Sequence, residues 1–433
     1  MPVNPSVLAS WLREMDRNVR SGQIYVPLPE ERLSLRPQIF LKDTSGVHTV
    51  ETWSPKTQTK TSPDKIWEEN LAIDIHAHYG VDIYFGFFLD GVQRTSLIRL
   101  IQVLQTGEQI PIHIGQVGSV IISRDNKILK VIKDWSPVEY AVVFPKDFIV
   151  DITDDPGTKK WLSSPPSVGF KIYDSSYDPA PKREPSTNRP VIDSTGKYIH
   201  DRIPNSTHKR SINDLNYFRN LARRWIRRIR ALQEQNLHDA FATEHGPAKR
   251  QEGKYEFLVI DGTITDVRSK VLTTAIGLSK TFNTRFLNNK QQTKVMRLPE
   301  YHRSPVFVFQ GQDENALEYC ADVKQAKGFK MTPRASWYVR IRDATGNLPN
   351  WGLLRAEIHR DLLPSGGSAD LWSESDSSFI NAISREIIKE RLPTSQPDSR
   401  WHNLIYPIKN CEDYLGSLLI PHESIVQIRP GGR

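Results

Sequence analysis

Cysteine is scarce: of 433 residues only Cys320 and Cys411 are cysteines, far apart and outside any CxxC pair. That excludes a disulfide framework and a zinc–thiolate site, and a reducing cytoplasm is the expected compartment. Long apolar runs are lacking too. Residues 83–89 and 140–144 are the longest, far short of the roughly 18 that a bilayer span needs, so no membrane segment is expected. The stretch MPVNPSVLASWLREMDRNVR has no apolar h-region, and no secretion signal is expected from it. No GxGxxG, P-loop, GxSxG or HExxH occurs, which removes the commonest nucleotide, serine-hydrolase and zinc-protease motifs. No internal repeat of fixed period is visible either.

What is present is a globular composition, 38% hydrophobic and 25% charged. The length allows two to three domain-sized units or one large domain with insertions. Residues 1–70 read as a peripheral segment with a short amphipathic helix over 4–20 (Val7, Leu8, Trp11, Leu12, Met15). A β-rich block follows to residue 150, with strands expected over 83–90, 96–105, 110–123, 128–132 and 140–150, joined as hairpins. Residues 153–207 are rich in Pro, Ser and charge and read as a loop-rich surface insertion. The clearest helix covers 212–241, with Leu215, Phe218, Leu221, Trp225, Ile229 and Leu232 on one broad face. Strands over 255–262, 304–309, 336–342 and 353–358 and helices over 376–391 and around 414–419 complete an α/β chain, a mixed sheet with flanking helices.

Two strands share an ending, GFFLDG and FLVIDG, which puts Asp90 and Asp261 each after an apolar run and before a glycine. A carboxylate there is costly unless it is paired or binds a cation. Two of them are what a divalent-metal phosphodiesterase uses, since hard oxygens hold Mg²⁺ or Mn²⁺. The plain alternative is that each Asp-Gly begins a turn. A third carboxylate is expected from the 212–241 helix. There the helical angle selects Asp214 or Asp239 and discounts Glu234; Asp214 also reads as an N-cap. Arg219, Arg223, Arg227 and Arg230 form a stripe away from the apolar face, suited to phosphate contact or to plain solvation. Between Asp201 and Arg230 there are nine Lys/Arg and two Asp/Glu, a balance of 9 − 2 = +7 out of the chain's +8. The basic character is therefore local. The GLSK turn could place Lys280 near a phosphate, although a plain surface turn is the commoner reading of such a motif. A strand-end HxH, His76 and His78, would suit a barrel amidohydrolase with zinc, but the hairpin-like block after it does not fit the regular βα repeat of that barrel.

Read in order, several segments resemble the NurA nuclease family, which partners the hexameric DNA-translocating ATPase HerA. FLDGVQRTS and FLVIDGTI are similar to its two Asp-Gly strands, and AIGLSKT to the turn that follows. YHRSPVFVF, SWYVRI, GLLRAEI and NLIYPIKNCEDYL resemble later motifs in the same order. The resemblance covers about residues 80–430, with 150–210 as an insertion. It implies a ribonuclease-H-like core, a homodimer, and Mn²⁺-dependent (or Mg²⁺-dependent) DNA cleavage with a HerA-like partner, in DNA end processing or anti-phage defence. Asp90 and Asp261 carry over as metal ligands. Asp214 is the candidate third ligand, His422 the candidate general acid or base, Lys280 a phosphate neutraliser and Tyr406 a lining residue. The chain departs from the family at the helix Glu between the two aspartates and at the His that follows Tyr-Pro. The alternative reading is a catalytically reduced adaptor that docks on the ATPase and channels DNA.

Overall fold

Phe85, Phe88 and Leu89 are almost fully buried, as a run apolar at successive positions requires when a strand is covered on both faces. In the computed structural model of the chain that run lies inside a large mixed sheet. The structure describes residues 10–11, 65–66, 73–74, 81–102, 109–132, 138–152, 170–182, parts of 191–202, 215–245, 250–251, 254–264, 275–280, 287, 289–309, 334–366, 372–395 and 401–421.

Ten strands form the main path: β1 (Lys65–Ile66), β2 (Asp82–Gln102), β3 (Gln109–Asp125), β4 (Val138–Phe144), β5 (Lys171–Asp174), β6 (Lys254–Asp261), β7 (Ala275–Ser279), β8 (Phe307–Phe309), β9 (Arg334–Arg340) and β10 (Leu353–His359). Their order across the sheet is β1-β8-β9-β10-β7-β6-β2-β3-β4-β5. Neighbours pair antiparallel except β2–β6, β6–β7 and β4–β5, which are parallel. The hairpin-like connections expected for residues 82–144 are present as antiparallel β2–β3 and β3–β4 pairs. The path is open, with β1 and β5 at its ends, so it gives no support to the barrel alternative; His76 and His78 lie outside the described residues.

Three helices cover this sheet: α1 (Leu215–His245), α2 (Glu374–Lys389) and α3 (Tyr406–Leu418). Successive strand residues point to opposite faces. Phe88 and Val259 accordingly join one core with Phe379, Ile383, Ile408, Cys411 and Leu415 of α2 and α3. Leu89, Leu258 and Ile260 join another with Leu237 and Phe241 of α1. Each such buried Ile, Leu or Phe contributes roughly 1.5–3 kcal/mol.

α1 is buried over more of its circumference than one apolar face requires. Ala222, Ile226 and Ile229 pack on Val117, Ala141 and Val143 of the sheet. On its other flank the segment Tyr177–Pro181 lies across it: the Trp225 indole donates to Tyr177 O at 3.2 Å and Arg224 pairs with Asp178 at 2.8 Å. This segment and β5 fall within residues 153–207, so part of the expected loop-rich insertion is strand. Its short apolar alternation, FKIYD, is hidden by the prolines on either side. Likewise Lys65–Ile66 forms an edge strand and Trp11 is buried between Phe144 and Phe170.

β2 departs from expectation in one respect that matters for the site. It does not end at Asp90 but runs on to Gln102, paired with β3 throughout. Residues 91–96 carry only one apolar side chain, Val92, yet still find ladder partners, among them Ser119 opposite Gly91 and Gly118 opposite Val92. It is β6 that stops, at Asp261, followed by Gly262 at φ +120°, a value that favours glycine.

Candidate metal centre

Parallel pairing sets Leu89 opposite Ile260, which brings Asp90 and Asp261, one residue further along each strand, side by side. By strand alternation both project to the α3 face, as does Lys280 two residues beyond Leu278. Helix α3 supplies the third acid, Glu412. Carboxylate oxygens of Asp90, Asp261 and Glu412 all lie within 4.8 Å of one another. An octahedral Mg²⁺-type ion sets opposite ligands about 4.2 Å apart, so a small closure suffices for shared ligation.

α3 is held at three levels, which is what fixes Glu412. Its first amide, Tyr406 N–H, donates to Glu390 O at 2.6 Å. Glu390 in turn receives both Arg124 nitrogens, at 2.5 and 2.6 Å, from β3. Midway, Cys411 Sγ lies 3.7 Å from Phe88 O. Beyond the C-terminal end, the buried Gln116 side chain bonds both sides of Ile420, at 2.7 and 2.9 Å, and Arg94 adds a bond to Ile420 O at 2.6 Å.

Asp90 is 3% exposed. Its Oδ1 accepts from Gly91 N–H at 2.7 Å, while its buried Oδ2 has no hydrogen-bond partner. Leaving a buried acceptor unmatched costs about 1–3 kcal/mol, more if it is charged. Burial first, and then the Asp261 charge, push the Asp90 carboxyl well above the usual range, with Lys280 opposing. Lys280 Nζ sits 3.0 Å from Asp261 Oδ2 and 3.2 Å from Glu412 Oε1. Burial works against its charge, but the three acids outweigh that and raise its pKa. The centre is therefore a compact oxygen-donor set with one resident ammonium and one unmatched oxygen. Hard oxygen ligands of this kind suit Mg²⁺ or Mn²⁺.

No family model and no curated protein matches this chain.

The opposite face corrects two expectations. Glu234, discounted by helical angle, reaches the sheet: a Cβ on Gly91 would lie 2.1 Å from Glu234 Oε1. Burial raises the Glu234 carboxyl, Arg230 opposes, and Asp261 adds to the rise. The angle misled because α1 has two buried flanks. Trp225 and Leu221 mark the flank away from the acids, whereas Ile226, Leu237 and Phe241 mark the flank on the sheet. Asp239 is buried on α1 but is not among the three converging acids; Asp214 and His422 lie outside the described residues.

Arg219, Arg223 and Arg230 of the arginine stripe likewise lie toward the sheet, not on the side away from it. Arg230 bonds Gly91 O at 3.4 Å and Glu234 at 3.3 Å. Arg219 and Arg223 stand near buried His113 of β3, which burial, and then these two charges, lower to about 3. Arg227 is exposed. Tyr406 is 48% exposed at the start of α3. Six residues before Glu412, it points roughly 120° away around the helix, so the structure does not bring it to the acids.

Glu412 is the residue that sequence reasoning missed, although a signal existed. It falls four residues after Ile408 and three before Leu415, both buried, which puts a carboxylate on an apolar stripe.

Proposed function

We propose that the protein is a divalent-metal-dependent deoxyribonuclease of the NurA type, acting with a HerA-like hexameric ATPase in DNA end processing or anti-phage defence. The observation that carries this reading is the convergence of Asp90, Asp261 and Glu412 around a buried, unmatched Asp90 oxygen. Adjacent parallel strands that deliver two acids side by side, with a long helix across one face, support a ribonuclease-H-like core. A homodimer and a cytoplasmic location belong to the same reading.

Bound Mn²⁺ or Mg²⁺ would supply Lewis acidity and a water of lowered pKa. Asp90, Asp261 and Glu412 would hold it. Lys280 would neutralise phosphate charge, and His422 is the proposed general acid or base. Arg219, Arg223, Arg227 and Arg230 would guide the DNA backbone toward Gly91, next to Asp90. Among the described residues no strand pairs with β2 on the β6 side beyond Leu89.

The test is cleavage of single- and double-stranded DNA by purified protein with Mn²⁺ or Mg²⁺. Asp90→Ala and Asp261→Ala are each expected to lower the rate by about 100-fold or more. Intact DNA with wild-type protein under both metals overturns the proposal. The adaptor reading draws on the ion pairs that Lys280 makes with Asp261 and Glu412, which can serve as a metal-free structural network. It predicts ATPase binding without any Mn²⁺-dependent thermal shift.

A further inference from the structure

Charge around the centre does not balance at zero. Asp90, Asp261 and Glu412 contribute −3 when ionised and Lys280 +1, leaving −3 + 1 = −2. Behind Gly91, Arg230 and Glu234 pair with each other at 3.3 Å and add nothing to the sum.

Resting on the metal-centre reading above, we propose that the site takes one divalent cation per chain, with the Lys280 ammonium standing in the place of a second. Two-ion phosphodiesterases bridge their ions, about 3.5–4 Å apart, through shared carboxylates. Here the ammonium already lies against Asp261 and Glu412, the two acids that such a second ion would share with the first. It is not free to leave, because the Lys280 side chain is only 9% exposed. A single divalent ion balances the remaining −2, whereas two ions would leave +2 in a mostly buried site, which is costly at low dielectric. The position left for the one ion is beside Asp90, whose Oδ2 is the acceptor without a partner. A cation held there would supply the activated water, and Lys280 would hydrogen-bond the non-bridging or leaving oxygen of the phosphate.

Calorimetric titration of the full chain with Mn²⁺ tests the proposal without any DNA. Wild-type protein is expected to bind one ion per chain, with a Mn²⁺ spin-resonance signal free of ion–ion coupling. Lys280→Met should bind its first ion about tenfold tighter, since a repelling charge is gone. Two ions per wild-type chain would overturn the one-ion proposal and leave the metal-centre reading standing. Weaker binding by Lys280→Met would overturn it as well. No binding by wild-type protein would overturn both readings together. The wild-type stoichiometry decides the matter even if the variant does not fold.

Discussion

The two faces of the sheet at Asp90–Gly91 are built with the same apolar chemistry and opposite charge logic. On the α3 face three acids surround one ammonium, and an acidic oxygen is left unmatched. On the α1 face Arg230 and Glu234 pair with each other, and the backbone of Gly91 lets that helix come close. Strand alternation is the cause: adjacent residues of one strand serve the two faces separately. A residue's place in the sequence therefore says less about its role than the parity of its position on the strand.

The two faces can be disturbed one at a time. A Cβ at position 91 would meet Glu234 Oε1 at 2.1 Å, Glu234 Cδ at 2.9 Å and Arg230 Cγ at 3.0 Å. Gly91→Ala should therefore push the Arg230–Glu234 pair aside and cost about 1–3 kcal/mol in denaturant unfolding. Mn²⁺ affinity should stay within about threefold of wild type, because the metal-facing acids lie on the other side. A loss of Mn²⁺ binding as large as that of Asp90→Ala would show that the faces are not separate.

A smaller effect sharpens the comparison from the arginine side. His113 is buried and held neutral, with its folded-state pKa lowered to about 3. Between that value and the ordinary 6.5 of an unfolded chain, the unfolded state binds the extra proton. This contribution to stability is thus complete above pH 6.5 and is lost as pH falls toward 3. Urea unfolding at pH 7 and pH 5 should show wild-type protein losing about 2 kcal/mol more than His113→Gln, at roughly 1.4 kcal/mol per pH unit. Equal losses would mean that His113 is not held neutral beside Arg219 and Arg223.

Much of this was legible from residues alone, for identifiable reasons. Asp90 and Asp261 stood out because an acid after an apolar run breaks a local pattern; Lys280 was read in a GLSK turn, whereas it follows the end of the buried strand β7. The antiparallel hairpins over 82–144 followed from strand-like runs at short spacing, whereas the parallel pairs did not. Position on a helix was harder. α1 carries two buried flanks, so a single apolar direction averaged over them and pointed away from Glu234. Glu412 sits between buried Ile408 and Leu415, but the sequence does not say that this stripe faces two strand acids. The strand over 96–105 was expected as a separate element; its join to 83–90 was hidden because residues 91–95 carry only one apolar side chain, Val92, and gain their order from pairing with β3.

The central claim is that Asp90, Asp261 and Glu412 form one cation centre. The most direct measurement is Mn²⁺ titration of Glu412→Gln, a change that keeps the helix and nearly keeps the side-chain volume. Affinity is expected to fall by about tenfold or more, since a charged ligand is lost, while the apo protein's melting temperature changes little. Unchanged Mn²⁺ binding by a folded Glu412→Gln protein would contradict it.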